Sequence, residues 1–309
     1  MSVEPVMAGL EPPRAAAKKP GMLGAILRDP AIMVAAVIIA LMVSMAVLAP
    51  WLGTRDPADI DPAFRNRLPG TERTVSLPNG TTRTITYWMG TDSLGRDVYS
   101  RVVYGARVSL IVGLTVAIIS IAVGLMIGLV AGYIRWVDGF VMRIMDGLMA
   151  IPAILLAIAL VSLSRAGVFS VVVAIVVPEI PRVVRLVRSI VLSIREEPYV
   201  EAAVTLGTPT AKLLWRHVLP NTIAPLTVQG TFVCASAILT EAILSFLGVG
   251  IPPDTPTWGN IMAEGRSYFR IFPHNILFPG LFLGLTVLAV NMLGYGLRDR
   301  LDPRLAKRI

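Results

Sequence analysis

The sequence predicts an all-α membrane protein: six transmembrane helices, a cytoplasmic loop folded as two short helices and a small extracytoplasmic β-hairpin. Three observations lead there. The chain of 309 residues is 55% hydrophobic and only 16% charged, against roughly 25% charge in a soluble domain. Five stretches carry no charge at all: 31–53, 108–134, 147–164, 218–240 and 271–297. About 18 apolar residues already cross a bilayer as a helix. The period-2 alternation of a barrel strand is missing, and in lipid a helix satisfies its backbone groups internally.

The elements follow in order. Residues 1–28 are rich in Pro and Ala with Glu4, Glu11, Lys18 and Lys19, so a disordered tail is expected rather than a cleavable signal. Residues 29–100 hold the first span, an uncleaved anchor, and an external loop. In that loop two alternating Thr-rich runs, from Arg73 to Tyr87, flank Asn79-Gly80, a strong hairpin signal. Residues 101–309 form the core with the other five spans. Span two carries Gly124, Gly128 and Gly132 at helical spacing, a smooth stripe where another helix can approach closely. At the start of span three, Asp146 lies three residues after Arg143, a spacing that suits an ion pair. Span four, 166 to about 187, is apolar to Pro178 and then meets Glu179, Arg182 and Arg185. Cys234, the single cysteine, lies in an apolar span and reads as a small core residue.

Charge orients the chain. Six spans put both ends on one side. The two tails, the loop from 179 to 221 and the short loop after span two together hold 17 of the 28 basic residues, so this side is expected to be cytoplasmic. The external loop opposes this with eight arginines, but six acids accompany them, and longer loops cross with less regard to charge. The net charge of +8 is spread over loops and ends, which suits anionic lipid and not nucleic acid.

A polar interruption, about 195–221, separates two apolar stretches. Pro198 suits the first position of a helix, with Glu196 and Glu197 at its positive end. Gly207 supplies a stop that tolerates positive φ. Thr208 is a natural N-cap for a second helix running to about Val218, which Leu219-Pro220 ends. Leu213, Leu214 and Trp215 beside Lys212 and Arg216 give apolar anchors with a basic rim, as in protein interfaces.

Glu201-Ala202-Ala203, Gly207 and Leu219-Pro220 together resemble the "EAA" signature of permease subunits of bacterial ABC importers, with His217 at a position often aliphatic in that pattern. The segments Gly90 to Asp97, Ser100 to Arg107, Leu244 to Gly250, Pro256 to Asn260 and Leu297 to Pro303 resemble the dipeptide, oligopeptide and nickel importer branch. The resemblance covers roughly 25–305 and is nearer the C-type subunit of the permease pair, because the external loop is short. It implies a multi-pass protein of the bacterial inner membrane that forms half of a translocation pathway. The implied partners are a second, related permease, one or two ATPases and an extracytoplasmic binding protein. By that resemblance the loop would form the coupling helices that sit in a groove of the ATPase subunit. Dipeptides, oligopeptides, nickel, glutathione, opines and sugar conjugates all occur as cargo in the branch, selected largely by the binding protein.

The residues agree with a non-enzymatic role. No Gly-x4-Gly-Lys-Ser/Thr loop is present, and none of the four lysines follows a glycine. ATP hydrolysis is therefore expected on partner chains. His217 and His274 stand far apart without cysteine partners, so no metal site is expected, and no cofactor. Acids within spans are expensive and default to function. Glu179, Glu241 and Asn291 are candidates to line the pathway. The competing readings are a Glu179–Arg182 ion pair, a structural or interface role for Glu241, which is favoured, and a helix–helix hydrogen bond for Asn291. The alternative function is a stand-alone secondary transporter or channel, which places ion-coupling residues in symmetric halves; no such halves are visible here.

Overall fold

The structure, a computed structural model, describes residues 29–76, 82–165 and 167–301. The tail 1–28, the Asn79-Gly80 turn and residues beyond 301 lie outside the described residues.

Helix α1 (Pro30–Val47) begins where Asp29 accepts the Ala31 N–H at 2.9 Å. Beyond it, β1 (Thr71–Ser76) pairs antiparallel with β2 (Thr82–Tyr87), Thr71 opposite Tyr87 and Ser76 opposite Thr82. The two strands expected of the hairpin are therefore present and paired. Helix α2 (Val98–Tyr133) is twice as long as α1, about 54 Å at 1.5 Å per residue, because its N-terminal turns precede the uncharged run. Its N-cap is Asp97, whose carboxylate accepts the Ser100 N–H at 3.1 Å.

The third expected span is broken. Helix α3 (Arg135–Ala150) and helix α4 (Ala153–Ser162) meet at an angle of 88°. Pro152 explains the break: it donates no N–H and holds Ile151 in extended geometry, φ −92° and ψ 129°. Helix α5 (Val168–Arg195) continues unbroken for 28 residues despite Pro178 and Pro181. Two short helices follow, α6 (Pro198–Thr205) and α7 (Thr210–Leu213). The long helices α8 (Leu219–Phe246) and α10 (His274–Leu301) enclose a short helix α9 (Trp258–Gly265). Among the described residues, four helical segments are long and apolar enough to cross a membrane, or five if the bent α3–α4 pair is one span. Helix α5 is long enough but carries Glu179, Arg182, Arg185, Arg188 and Arg195.

The glycine stripe of α2 does what its spacing implied. A Cβ on Gly124, Gly128 or Gly132 would stand 2.5–2.7 Å from the Cβ of Val183, Val187 or Val191 on α5, so the two helices are in backbone contact range. The main buried core sits along this seam and continues through Leu226, Val233, Ala237 and Leu244 of α8. One local expectation fails. Asp146 is met by Arg185 of α5 at 2.6 Å, not by Arg143, because α3 lies along α5 and turns its acids toward it. Arg188 likewise clasps Asp138, its Nη2 donating at 2.6 Å.

A second, smaller core joins α1, the start of α2, α8, α9 and α10 around the fully buried Trp258. Beside it a polar knot holds the 90–97 turn against α9. Asp92 Oδ2 accepts from Arg96 Nε at 2.8 Å and from Arg101 Nη1 at 2.6 Å. Arg101 Nη1 also reaches Glu264 at 2.7 Å, and Arg96 Nη2 pairs with the same carboxylate. Asp92 further accepts the N–H groups of Leu94 and Arg96, both at 2.9 Å, closing the turn on itself.

Candidate functional site

The loop between α5 and α8 is built as a rigid projection. Pro198 opens α6 as expected, with Glu197 at the N-cap. Gly207 has φ +77° and ends the helix: its N–H donates to Val204 at 2.9 Å, and the Thr208 N–H donates to Ala203 at 3.0 Å. This pair of bonds is a Schellman stop, which satisfies two carbonyls at the helix end. No heavy atom would meet a Cβ at Gly207, so the glycine is there for its backbone angle alone.

The second half departs from expectation by one residue at its start and more at its end. The N-cap is Pro209 and not Thr208, and α7 begins at Thr210. Leu219-Pro220 does not terminate the helix. Residues Leu214–Val218 form a π-helical turn that runs directly into α8, the Leu219 N–H reaching back to the Leu214 carbonyl. Pro220 supplies the reason. It has no N–H for the Arg216 carbonyl, and its ring crowds that carbonyl, so widening the turn lets the helix pass without a break.

Four side chains fix the projection to the body: Val200, Ala203, Leu213 and Val218 are all buried in the main core. Asn221 adds a clamp, its amide donating to the His217 carbonyl at 2.7 Å and to the Tyr199 hydroxyl at 3.3 Å. The opposite face is apolar and open. Leu206 is 85% exposed and Trp215 74%, with Tyr199 and Val204 half exposed beside them. The signature residues divide accordingly: Glu201, Ala202, Gly207 and Pro220 face outward, Ala203 faces inward, and Leu219 lies at the margin.

The candidate pathway residues do not converge. Glu179 is 4% exposed; it accepts from Ser236 of α8 at 3.0 Å and pairs with Arg182 at 3.3 Å. Glu241 is fully buried between α2 and α8, accepting from Ser245 at 2.8 Å and Ser109 at 3.2 Å. Asn291 donates to the Val287 carbonyl of its own helix at 3.0 Å. The Asp92–Arg96–Arg101–Glu264 knot was not singled out in the sequence. Its signal was the Asp92-Ser-Leu-Gly95 turn, an acid two residues before the N–H it accepts, with Gly95 at φ +83°. Near it, outside the spanning segment, burial holds the Asp97 carboxyl above its ordinary value, while bonds from Ser100 pull it down.

Comparison with known proteins agrees with these features. Residues 120–307 match the family described as binding-protein-dependent transport system inner membrane component. Residues 22–69 match the N-terminal transmembrane domain of oligopeptide transport permease C. The chain is 50% identical over 281 residues to a probable peptide ABC transporter permease of Sinorhizobium fredii, covering 91% of each. It is 41% identical over 266 residues to a di/tripeptide transport permease of Pseudomonas aeruginosa, covering 86% of this chain and 85% of that one. A glutathione transport permease of Escherichia coli is 40% identical over 274 residues, 88% of this chain and 86% of its own. A membrane-embedded helical body with a rigid, apolar-faced helical projection, matched over most of its length, thus belongs to the binding-protein-dependent transport system inner membrane components, as a transmembrane permease of an ABC importer.

Proposed function

We propose that this chain forms half of a translocation pathway for a peptide or a similar small polar solute, paired with a second, related permease and supplied by an extracytoplasmic binding protein. The projection formed by α6, α7 and the π-turn docks on an ATPase subunit, which supplies the hydrolysis this chain has no loop for. Residues 101–309 act as the moving core, and 29–100 as an anchor with its external loop. The chain crosses the membrane six times with both ends in the cytoplasm, α5 being the sixth span with its charges facing protein or water.

One observation carries the docking proposal. The projection is held by four buried side chains yet exposes Leu206 and Trp215 on its outer face. An apolar face on a polar-side loop has nothing to gain from solvent, whereas aromatic and aliphatic anchors suit a partner groove. The peptide proposal rests on the transport functions by which the relatives above are named.

The test uses the assembled complex. A tagged chain carrying Leu206→Asp and Trp215→Ala is purified from its native membrane beside the wild type. The expected result is recovery of the second permease with the ATPases depleted and uptake abolished. Full ATPase recovery with normal uptake would remove this face as the coupling surface. ATP-dependent uptake of a labelled dipeptide by the wild-type complex tests the cargo class.

A further inference from the structure

Three ion pairs follow one another along α5: Asp138–Arg188 and Asp146–Arg185 join it to α3, and Glu179–Arg182 lies within α5 itself. The arginines recur every three residues along α5, so the ladder rises about 9 Å from Arg188 to Arg182. Its two lower rungs are short, direct contacts that clip α3 to α5. The top rung differs in three ways. Its acid is buried and independently held, since Glu179 keeps the Ser236 hydroxyl at 3.0 Å. Its base is open, the Arg182 side chain being 48% exposed against 5% for Glu179. Its contacts are the loosest of the ladder, with Arg182 Nη1 at 3.3 and 3.5 Å from the two carboxylate oxygens. Arg182 can therefore turn its guanidinium outward while Glu179 stays bonded to α8.

Position makes this unusual. Arg182 lies about 21 Å from the start of α5 and about 20 Å from its end, near the middle of a helix some 42 Å long. With α5 taken as a membrane span, as proposed above, an arginine at its middle is expensive against hydrocarbon and belongs on a face lined by water or protein. A planar guanidinium with free N–H groups matches a carboxylate in two-point geometry.

We propose that Arg182 is a cargo-binding residue that takes the terminal carboxylate of a peptide as it passes the middle of the pathway. Glu179 and Ser236 hold the guanidinium in position between turnovers. This rests on the peptide reading given above. The bound carboxylate displaces Glu179 as a partner of Arg182 and releases it again when the pathway opens to the far side.

The test is uptake of two labelled peptides by the complete complex, with ATPases and saturating loaded binding protein, in vesicles. One peptide has a free C-terminal carboxylate; the other is the same peptide amidated. Wild type should prefer the free acid, and Arg182→Gln should lose that preference about tenfold, the worth of one charge-assisted contact. The same binding protein serves wild type and variants, so its own selectivity between the two peptides cancels when their preferences are compared. Arg182→Lys keeps the charge and should lose part of the preference, about threefold, because the two-point contact is gone. An unchanged preference in both variants overturns the assignment while leaving the peptide reading intact. Wild-type uptake of neither peptide overturns the peptide reading, and this assignment with it. Equal losses for both peptides that track the anionic lipid content of the vesicles assign Arg182 to lipid headgroups and also overturn it.

Discussion

The indole N–H of Trp258 donates to the Val102 carbonyl at 3.1 Å, joining residues 156 positions apart. Both residues are fully buried. The bond fixes α9, which lies between two long helices, to the first turns of α2, next to the Arg101 knot. Two layers thus hold this end of the molecule: an apolar one around Trp258 and an ionic one around Asp92.

Trp258→Phe keeps most of the ring and loses the bond, and should cost about 1 kcal/mol. Trp258→Ala also opens a cavity and should cost about 3–5 kcal/mol. Thermal unfolding of the purified protein in detergent measures both. A Phe variant as stable as the wild type would show that the bond adds nothing to the packing.

Gly207→Val forces a β-branched residue into positive φ, at about 1–2 kcal/mol, with no steric contact to add. Insertion into the membrane should be normal, while ATPase recovery and uptake both fall. Gly207→Asn, which tolerates that backbone region, should keep most of the activity. If Gly207→Val retains ATPases and uptake, the turn does not position the docking face.

Gly128→Ala places a methyl 2.6 Å from the Val187 Cβ and should cost about 1–3 kcal/mol through overpacking. Val187→Gly removes that Cβ and makes room for it. In a double-mutant cycle the two changes should therefore couple favourably, by about 1 kcal/mol or more. Simple additivity of the unfolding free energies would mean that the helices shift apart freely.

Asp97 should leave a mark on the pH dependence of stability. Burial raises its carboxyl in the folded protein. A group raised on folding stabilises fully below its unfolded value, and that contribution is lost as pH rises through the folded value. Asp97→Asn cannot ionise but keeps an oxygen to accept the Ser100 N–H. As pH rises from about 4, the ordinary carboxylate value, through the raised folded value, the wild type should lose more Tm than the variant. Parallel curves would show that the Asp97 carboxyl does not titrate differently on folding.

Local chemistry made several of these features readable in advance. Pro198 and Gly207 bound α6 through φ preferences that need no distant neighbour. The Thr-rich alternation from Arg73 to Tyr87 appears as β1 and β2 for the same reason. The stripe of Gly124, Gly128 and Gly132 named a packing face without naming its partner. Where the reading slipped, a neighbour decided. Asp146 had Arg143 within reach along its own helix, yet Arg185 from another helix meets it. Leu219-Pro220 looked like a stop, and a π-turn carried the helix through it. Pro152 could have bent a span gently or broken it, and the structure breaks it by 88°.

The sequence by itself determined that this is a helical membrane protein with a folded polar loop, because hydropathy, proline and glycine act over a few residues. Only the tertiary structure decided that α5 lies against α2 and α3, that Arg101 and Glu264 meet across 163 positions, and that Glu179 is shared between Arg182 and Ser236. Buried charges need partners more than they need particular ones, so the choice among nearby acids and bases falls to the packing of helices that brings them together.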